Sequence, residues 1–138
     1  MPTDTRPAPT AAPTSTRLLR TIAAVVGGYL IFAFSAVALF QLSGRDPHAP
    51  QPPWFVAGSV AYGMAFAALG GFVAARVAPT RQLLHAASVA AILALGAGVS
   101  LLTSPGAGAT WSQWAALALM APSAYLGGYL ATRSQRAG

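Results

Sequence analysis

The chain has no cysteine, no lysine and no glutamate, and its only acidic residues are Asp4 and Asp46. Without cysteine there is no disulfide framework, no thiol nucleophile and no Cys-ligated zinc or iron–sulfur site. So few carboxylates leave almost no material for acid/base chemistry. Charged residues make up 7% of the 138 positions, against roughly 25% in soluble domains. Hydrophobic residues make up 55%, and the mean hydropathy is +0.57. A soluble domain cannot cover its surface with so few charges, so this composition implies a small integral membrane protein.

The charges stand at Asp4, Arg6, Arg17, Arg20, Arg45, Asp46, Arg76, Arg81, Arg133 and Arg136, with long uncharged stretches between them. A spanning helix needs about 20 mostly apolar residues to cross ~30 Å of hydrocarbon. The stretches accommodate four spans, near 21–42, 54–77, 83–102 and 111–132. The last two are separated by Thr103-Ser104-Pro105-Gly106-Ala107-Gly108, which is turn chemistry. The expected fold is therefore all-α, an integral membrane four-helix bundle. For the first segment alone there is a second reading, a cleaved signal peptide with Ala36-Val37-Ala38 as the cleavage motif. Its apolar run exceeds the ~7–15 residues of a signal core, which favours a span.

Arginine placement sets the expected orientation. Arg6, Arg17, Arg20, Arg76, Arg81, Arg133 and Arg136 fall on one side, and Arg45 stands alone on the other beside Asp46. The first side is then cytoplasmic, with both termini and the 78–82 turn. Trp54, Trp111 and Trp114 fall at the outer ends of spans two and four, where an indole keeps its ring apolar and its N–H wet. No basic cluster with interleaved aromatics is present, which argues against nucleic acid.

Residues 1–16 are rich in Pro and Thr, without the aliphatic side chains that would offset ordering entropy, and are expected to be a disordered cytoplasmic tail. Residues 134–138 form a second short tail. The outer segment 43–53 carries Asp46 and His48, too few ligands for a metal site. It is expected to be a solvated loop. His85 falls near the inner start of span three, as an interfacial group.

The octet Leu69-Gly70-Gly71-Phe72-Val73-Ala74-Ala75-Arg76 recurs as Leu126-Gly127-Gly128-Tyr129-Leu130-Ala131-Thr132-Arg133. Trp54 and Trp111, Ala61 and Ala118, and Ala67 and Ala124 stand at the same offset. With two spans per unit, this pattern indicates a parallel two-hairpin duplication.

Between apolar helices in lipid, small residues mark close contacts. Span two has Ser59, Gly63, Ala67, Gly71 and Ala75 at spacing four. Span three has Ala86, Ala90, Ala94 and Gly98. Span four has Ala124, Gly128 and Thr132, with Ser123, Gly127 and Ala131 beside them. These ladders are expected to line the bundle interior or a self-association face. Pro122 should kink span four, with Ser123 serving a freed carbonyl.

No ionisable group falls at mid-depth, and no GxSxG, HExxH, P-loop or GxGxxG motif is present. Catalytic, cofactor and metal sites are not expected. The expected partners are the lipid bilayer and either a second copy or another membrane protein. The leading functional reading is a non-enzymatic accessory, scaffolding or regulatory subunit. The alternative is a small oligomeric channel or transporter, including a holin-like one.

The run Gly70 to Pro79, the short Arg turn and His85-Ala86-Ala87 resemble small uncharacterised bacterial inner-membrane proteins of four spans with a Gly-Gly-[Phe/Tyr]-[Val/Leu]-Ala-x-Arg helix end. The resemblance covers roughly 21–133. It implies a bacterial cytoplasmic membrane and a helical bundle, and no particular activity.

Overall fold

The computed structural model describes residues 14–103 and 110–137, and these are helical with no strand among them. Helix α1 is Thr14–Ser43, α2 is Pro53–Val77 and α3 is Gln82–Thr103. A last helical run consists of α4 (Trp111–Ala115), a π-helical segment (Ala116–Met120) and α5 (Ala121–Arg136). Helices α1, α2 and α3 are each long and apolar enough to cross a membrane. In the last run the π-helical segment leaves no single α-helix of spanning length.

The helix ends follow local chemistry. After α1, Gly44 adopts φ +63°, Arg45 N–H donates to the Phe40 carbonyl at 3.3 Å and Gly44 N–H to the Gln41 carbonyl at 3.4 Å. This is a Schellman closure, and the left-handed residue in it is the glycine. Helix α2 starts on Pro52 and Pro53, where a missing N–H costs nothing. It ends before Pro79, which holds Ala78 in extended backbone (ψ 130°).

The expected boundaries shift in two places. Thr14–Thr16, expected in the tail, belong to α1, and residues 1–13 lie outside the described set. Helix α5 extends to Arg136, past the expected end at 132. Of the expected turn at 103–108, Thr103 ends α3 and residues 104–108 lie outside the described residues.

Pro122 is accommodated rather than simply kinked around. The π-helical segment ends two residues before it, and Ala121 N–H donates five residues back to the Ala116 carbonyl. The wider turn makes room where the proline ring would crowd the carbonyl four residues earlier. Ser123 Oγ donates to the Leu119 carbonyl at 2.8 Å.

The core is built from small side chains, and the bulkiest one completely buried is Val89. Helices α2 and α3 pack against each other and against both α1 and α5. Among the described residues α1 makes no close backbone approach to α4, the π-helical segment or α5. The bundle is thus a rhombus with α2 and α3 on the short diagonal. Helices α2 and α5 run parallel. Arg76 Nη2 donates to Ser134 Oγ (2.8 Å) where both helices end, while Ser59 and Trp111 face one cavity near where α2 and α4 begin.

Candidate functional site

At the inner end and middle, backbones meet at glycine. A Cβ on Gly71 would land on the Ala124 carbonyl oxygen, and one on Gly127 on the Ala68 carbonyl oxygen. Gly28 and Gly70 oppose each other between α1 and α2, and Gly128 sits on the Ala86 methyl of α3. Ala75, Ala86 and Ala131 form a satellite cluster beneath Phe72.

The α2 ladder of Ser59, Gly63, Ala67, Gly71 and Ala75 is buried along its whole length. A step of four residues drifts by ~40° around a 3.6-residue helix. The α2 ladder stays buried because α2 has neighbours on several sides. Its partners change along the chain, with Gly63 against Met120, Gly71 against Ala124 and Ala75 against Ala86 and Ala131. Helix α3 is different. Its buried stripe is Ala86, Val89, Leu93 and Ala97, and the expected Ala90 and Ala94 are only partly buried against the core. Gly98 just reaches Leu117 at 3.9 Å. On α3 the inward positions step by three as well as four, from Ala86 to Val89 and then to Leu93 and Ala97, so the spacing-four ladder drifts to the edge of the buried stripe.

The arginines stand at helix ends. Arg17, Arg20, Arg133 and Arg136 are exposed. Arg76 lies over the Phe72 ring at 5.0 Å. Arg81 adopts φ +46°, and its carbonyl accepts from Leu84 N–H at 2.8 Å. His85, expected at the interface, is buried, with Nδ1 3.2 Å from the same carbonyl.

The outer end is built differently. The segment after α1 is not merely a solvated loop. Asp46 Oδ1 accepts from His48 N–H (2.8 Å), Gln51 Nε2 donates to the Asp46 carbonyl (2.9 Å), and Arg45 Nη1 donates to Gln51 Oε1 (2.9 Å). The Arg45 guanidinium lies 4.7 Å from the Phe55 ring and 5.3 Å from that of Trp54. The loop then docks onto the start of α4. The buried Gln113 places Nε2 3.0 Å from His48 Nδ1 and 3.4 Å from Ser100 Oγ. Ser112 Oγ lies 3.0 Å from Gln113 Oε1 and 3.1 Å from the Pro47 carbonyl, and its single proton serves one of them at a time.

Gln113 is therefore the hub that ties α3, α4 and the outer loop together. Sequence reasoning passed over it. The available signal was an uncharged amide inside an apolar span, a side chain that needs several partners when buried. Asp46 and His48 do not converge on a ligand position, because the imidazole turns to Gln113 while the carboxylate caps the His48 amide.

Two cavities flank this cluster in the gap between α1 and the last helical run. One, of about 210 Å³, is lined by Tyr29, Phe32, Leu93, Ser100 and Gln113, among others. The other, of about 160 Å³, lies between Phe32, Ser35, Ser59, Tyr62, Trp111 and Met120. Tyr62 Oη donates to the Ser35 carbonyl at 3.3 Å.

The tryptophans divide. Trp54 and Trp114 are exposed, but Trp111 is partly buried and its Nε1 is sealed from solvent with no partner among the described residues. The wet indole N–H expected for Trp111 is not found, because the ring turns into the gap between α1 and α4 rather than out of the bundle.

Comparison with protein-family models, with curated proteins and with solved structures finds no match for the chain.

Proposed function

We propose that the chain is a four-span protein of a bacterial cytoplasmic membrane, with both termini cytoplasmic. It acts without catalysis, through helix packing, as an accessory, scaffolding or regulatory subunit of another membrane protein. The observation that carries this reading is the bundle interior. Its buried side chains are Ala, Gly, Ser, Gln113 and a few larger apolar groups, and among the described residues the one buried ionisable side chain is His85, held against the backbone at the inner end. Such an interior offers no relay for protons or ions. The polar cluster around Gln113 does not continue inward, because Leu93, Met120 and the Ala67–Ala124 contact region close the core below it. That favours a subunit over a pore through one copy.

The natural absence of cysteine makes single-cysteine variants direct reporters. In intact cells, a membrane-impermeant maleimide is expected to label Asp46→Cys and to spare Ala137→Cys; the reverse pattern would overturn the orientation. The exposed face of α2 carries Ala57, Gly58, Ala61 and Ala65, and a Cβ at Gly58 meets nothing within 4 Å. Crosslinking of Gly58→Cys in native membranes is expected to capture one foreign membrane protein at near-stoichiometric yield. Recovery of the chain only with itself, together with ion or solute flux in proteoliposomes, would replace this reading with an oligomeric channel.

A further inference from the structure

We propose that the cavity between α1, α2 and the start of the last helical run is a binding site for a small, neutral, mostly apolar molecule carrying one hydrogen-bond acceptor oxygen, such as an aromatic ketone. The cavity measures about 160 Å³, close to the roughly 150 Å³ of an engineered apolar cavity that takes up benzene. Phe32, Ala36, Leu39, Phe40, Gly63 and Met120 give it an apolar wall, and no charged side chain lines it.

Two polar atoms in this wall have no partner. Ser59 Oγ and Trp111 Nε1 are both sealed from solvent and make no hydrogen bond among the described residues. Ser59 is only 5% exposed. Its behaviour is unlike that of three other buried or half-buried helical serines. Ser35, Ser88 and Ser123 donate to carbonyls of their own helix at 2.7, 2.9 and 2.8 Å. That option is open to any helical serine, yet Ser59 does not take it.

An indole N–H can only donate, and a hydroxyl can donate or accept. Both N–H and O–H can therefore point at one acceptor oxygen, which fixes the ligand's polar end while its apolar body meets Phe32 and Met120. The lack of any charge in the wall disfavours ions and anionic headgroups. Ala116 and Met120, the first and last residues of the π-helical segment, both line the cavity. Such wide turns recur at functional sites because they re-aim side chains within a helix.

The test uses the full chain in lipid nanodiscs, with 4-fluoroacetophenone as the probe and fluorine NMR as the readout. Empty nanodiscs provide the baseline for partition into lipid. Saturable binding above that baseline is expected, at least tenfold weaker for Ser59→Ala and for Trp111→Phe. It is also expected to be at least tenfold weaker for 4-fluoro-α-methylstyrene, whose planar C=CH2 group keeps the ketone's shape without the oxygen. Ser59→Ala removes one oxygen atom and keeps the helix, so it reports even where the tryptophan variant fails to fold. Absence of saturable binding, equal binding of both probes, or binding unchanged by Ser59→Ala would each overturn the proposal. So would a persistent water signal at the Trp111 indole proton that the ketone does not displace.

Discussion

The inner and outer halves of the bundle solve the same packing problem in opposite ways. In the inner half α2 and α5 approach until backbone carbonyls touch glycines, and the contact between Gly71 and Ala124 and that between Gly127 and Ala68 exclude everything else. In the outer half α1 and the last helical run stand apart. The gap holds two cavities, an amide-centred hydrogen-bond cluster and two polar atoms that find no partner among the described residues. Where lipid provides no hydrophobic drive between helices, close packing and interhelical hydrogen bonds are what remains. The inner half relies mainly on the first, with Arg76–Ser134 and Gln82–Gln135 hydrogen bonds only at its very end, and the outer half mainly on the second. The first leaves no space between the helices, and the second leaves the two cavities.

The strongest way to break this contrast is at its tightest contact. Gly71→Ala and Gly127→Ala each place a methyl on a carbonyl oxygen that belongs to a neighbouring helix and cannot swing aside. Each is expected to destabilise the bundle by about 3 kcal/mol, read as the shift in SDS-induced unfolding of the protein in mixed micelles. Wild-type stability in both variants would mean the α2–α5 contact is not the organising one.

The outer half should respond less, and locally. Gln113→Leu takes the amide partner from His48 Nδ1 and Ser100 Oγ and leaves Ser112 Oγ only the Pro47 carbonyl. A loss of about 1–2 kcal/mol is expected, with faster hydrogen exchange and protease cleavage confined to 45–52. Uniform loosening of all helices would show that the cluster supports the whole fold and not just its outer end.

The smallest effect sharpens the contrast within one ladder. At Gly63 a new Cβ would meet only the side chain of Met120, with Sδ at 2.9 Å. A methionine has three rotatable bonds and gives way readily. Gly63→Ala is expected to cost under about 1 kcal/mol by the same unfolding assay. A cost equal to that of Gly71→Ala would mean that Met120 is as immovable as backbone.

Much of the architecture was legible in the residues. The helix limits follow from Gly44, Pro52–Pro53 and Pro79, and each acts through local backbone chemistry that needs no tertiary information. The α2 ladder coincides with the buried side of α2, where its small residues meet first the last helical run and then α3, while the opposite face with Gly58 and Ala61 stays exposed. The same reasoning misplaced the buried stripe of α3, where Val89 and Leu93 take the inside and Ala90 and Ala94 lie at its edge. It also left Gln113 out and turned Trp111 the wrong way. A hydropathy pattern separates inside from outside only when the outside is water. Here exposed and core-facing positions are equally apolar, as exposed Leu95, Leu102 and Leu126 show.

The repeat makes the division clear. Gly70-Gly71 and Gly127-Gly128 are the same motif in sequence, yet Gly70 faces Gly28 and Gly71 faces Ala124, while Gly127 faces Ala68 and Gly128 faces Ala86. The amino-acid sequence by itself determined that the chain is helical, apolar, charged only outside or near the ends of its apolar stretches, and notched with glycine at set positions along its helices. Those properties live in single residues and their neighbours along the chain. Only the tertiary structure decided which helix enters each notch, which polar atoms find partners and where a cavity is left. These depend on the shapes of surfaces that meet only when the helices come together.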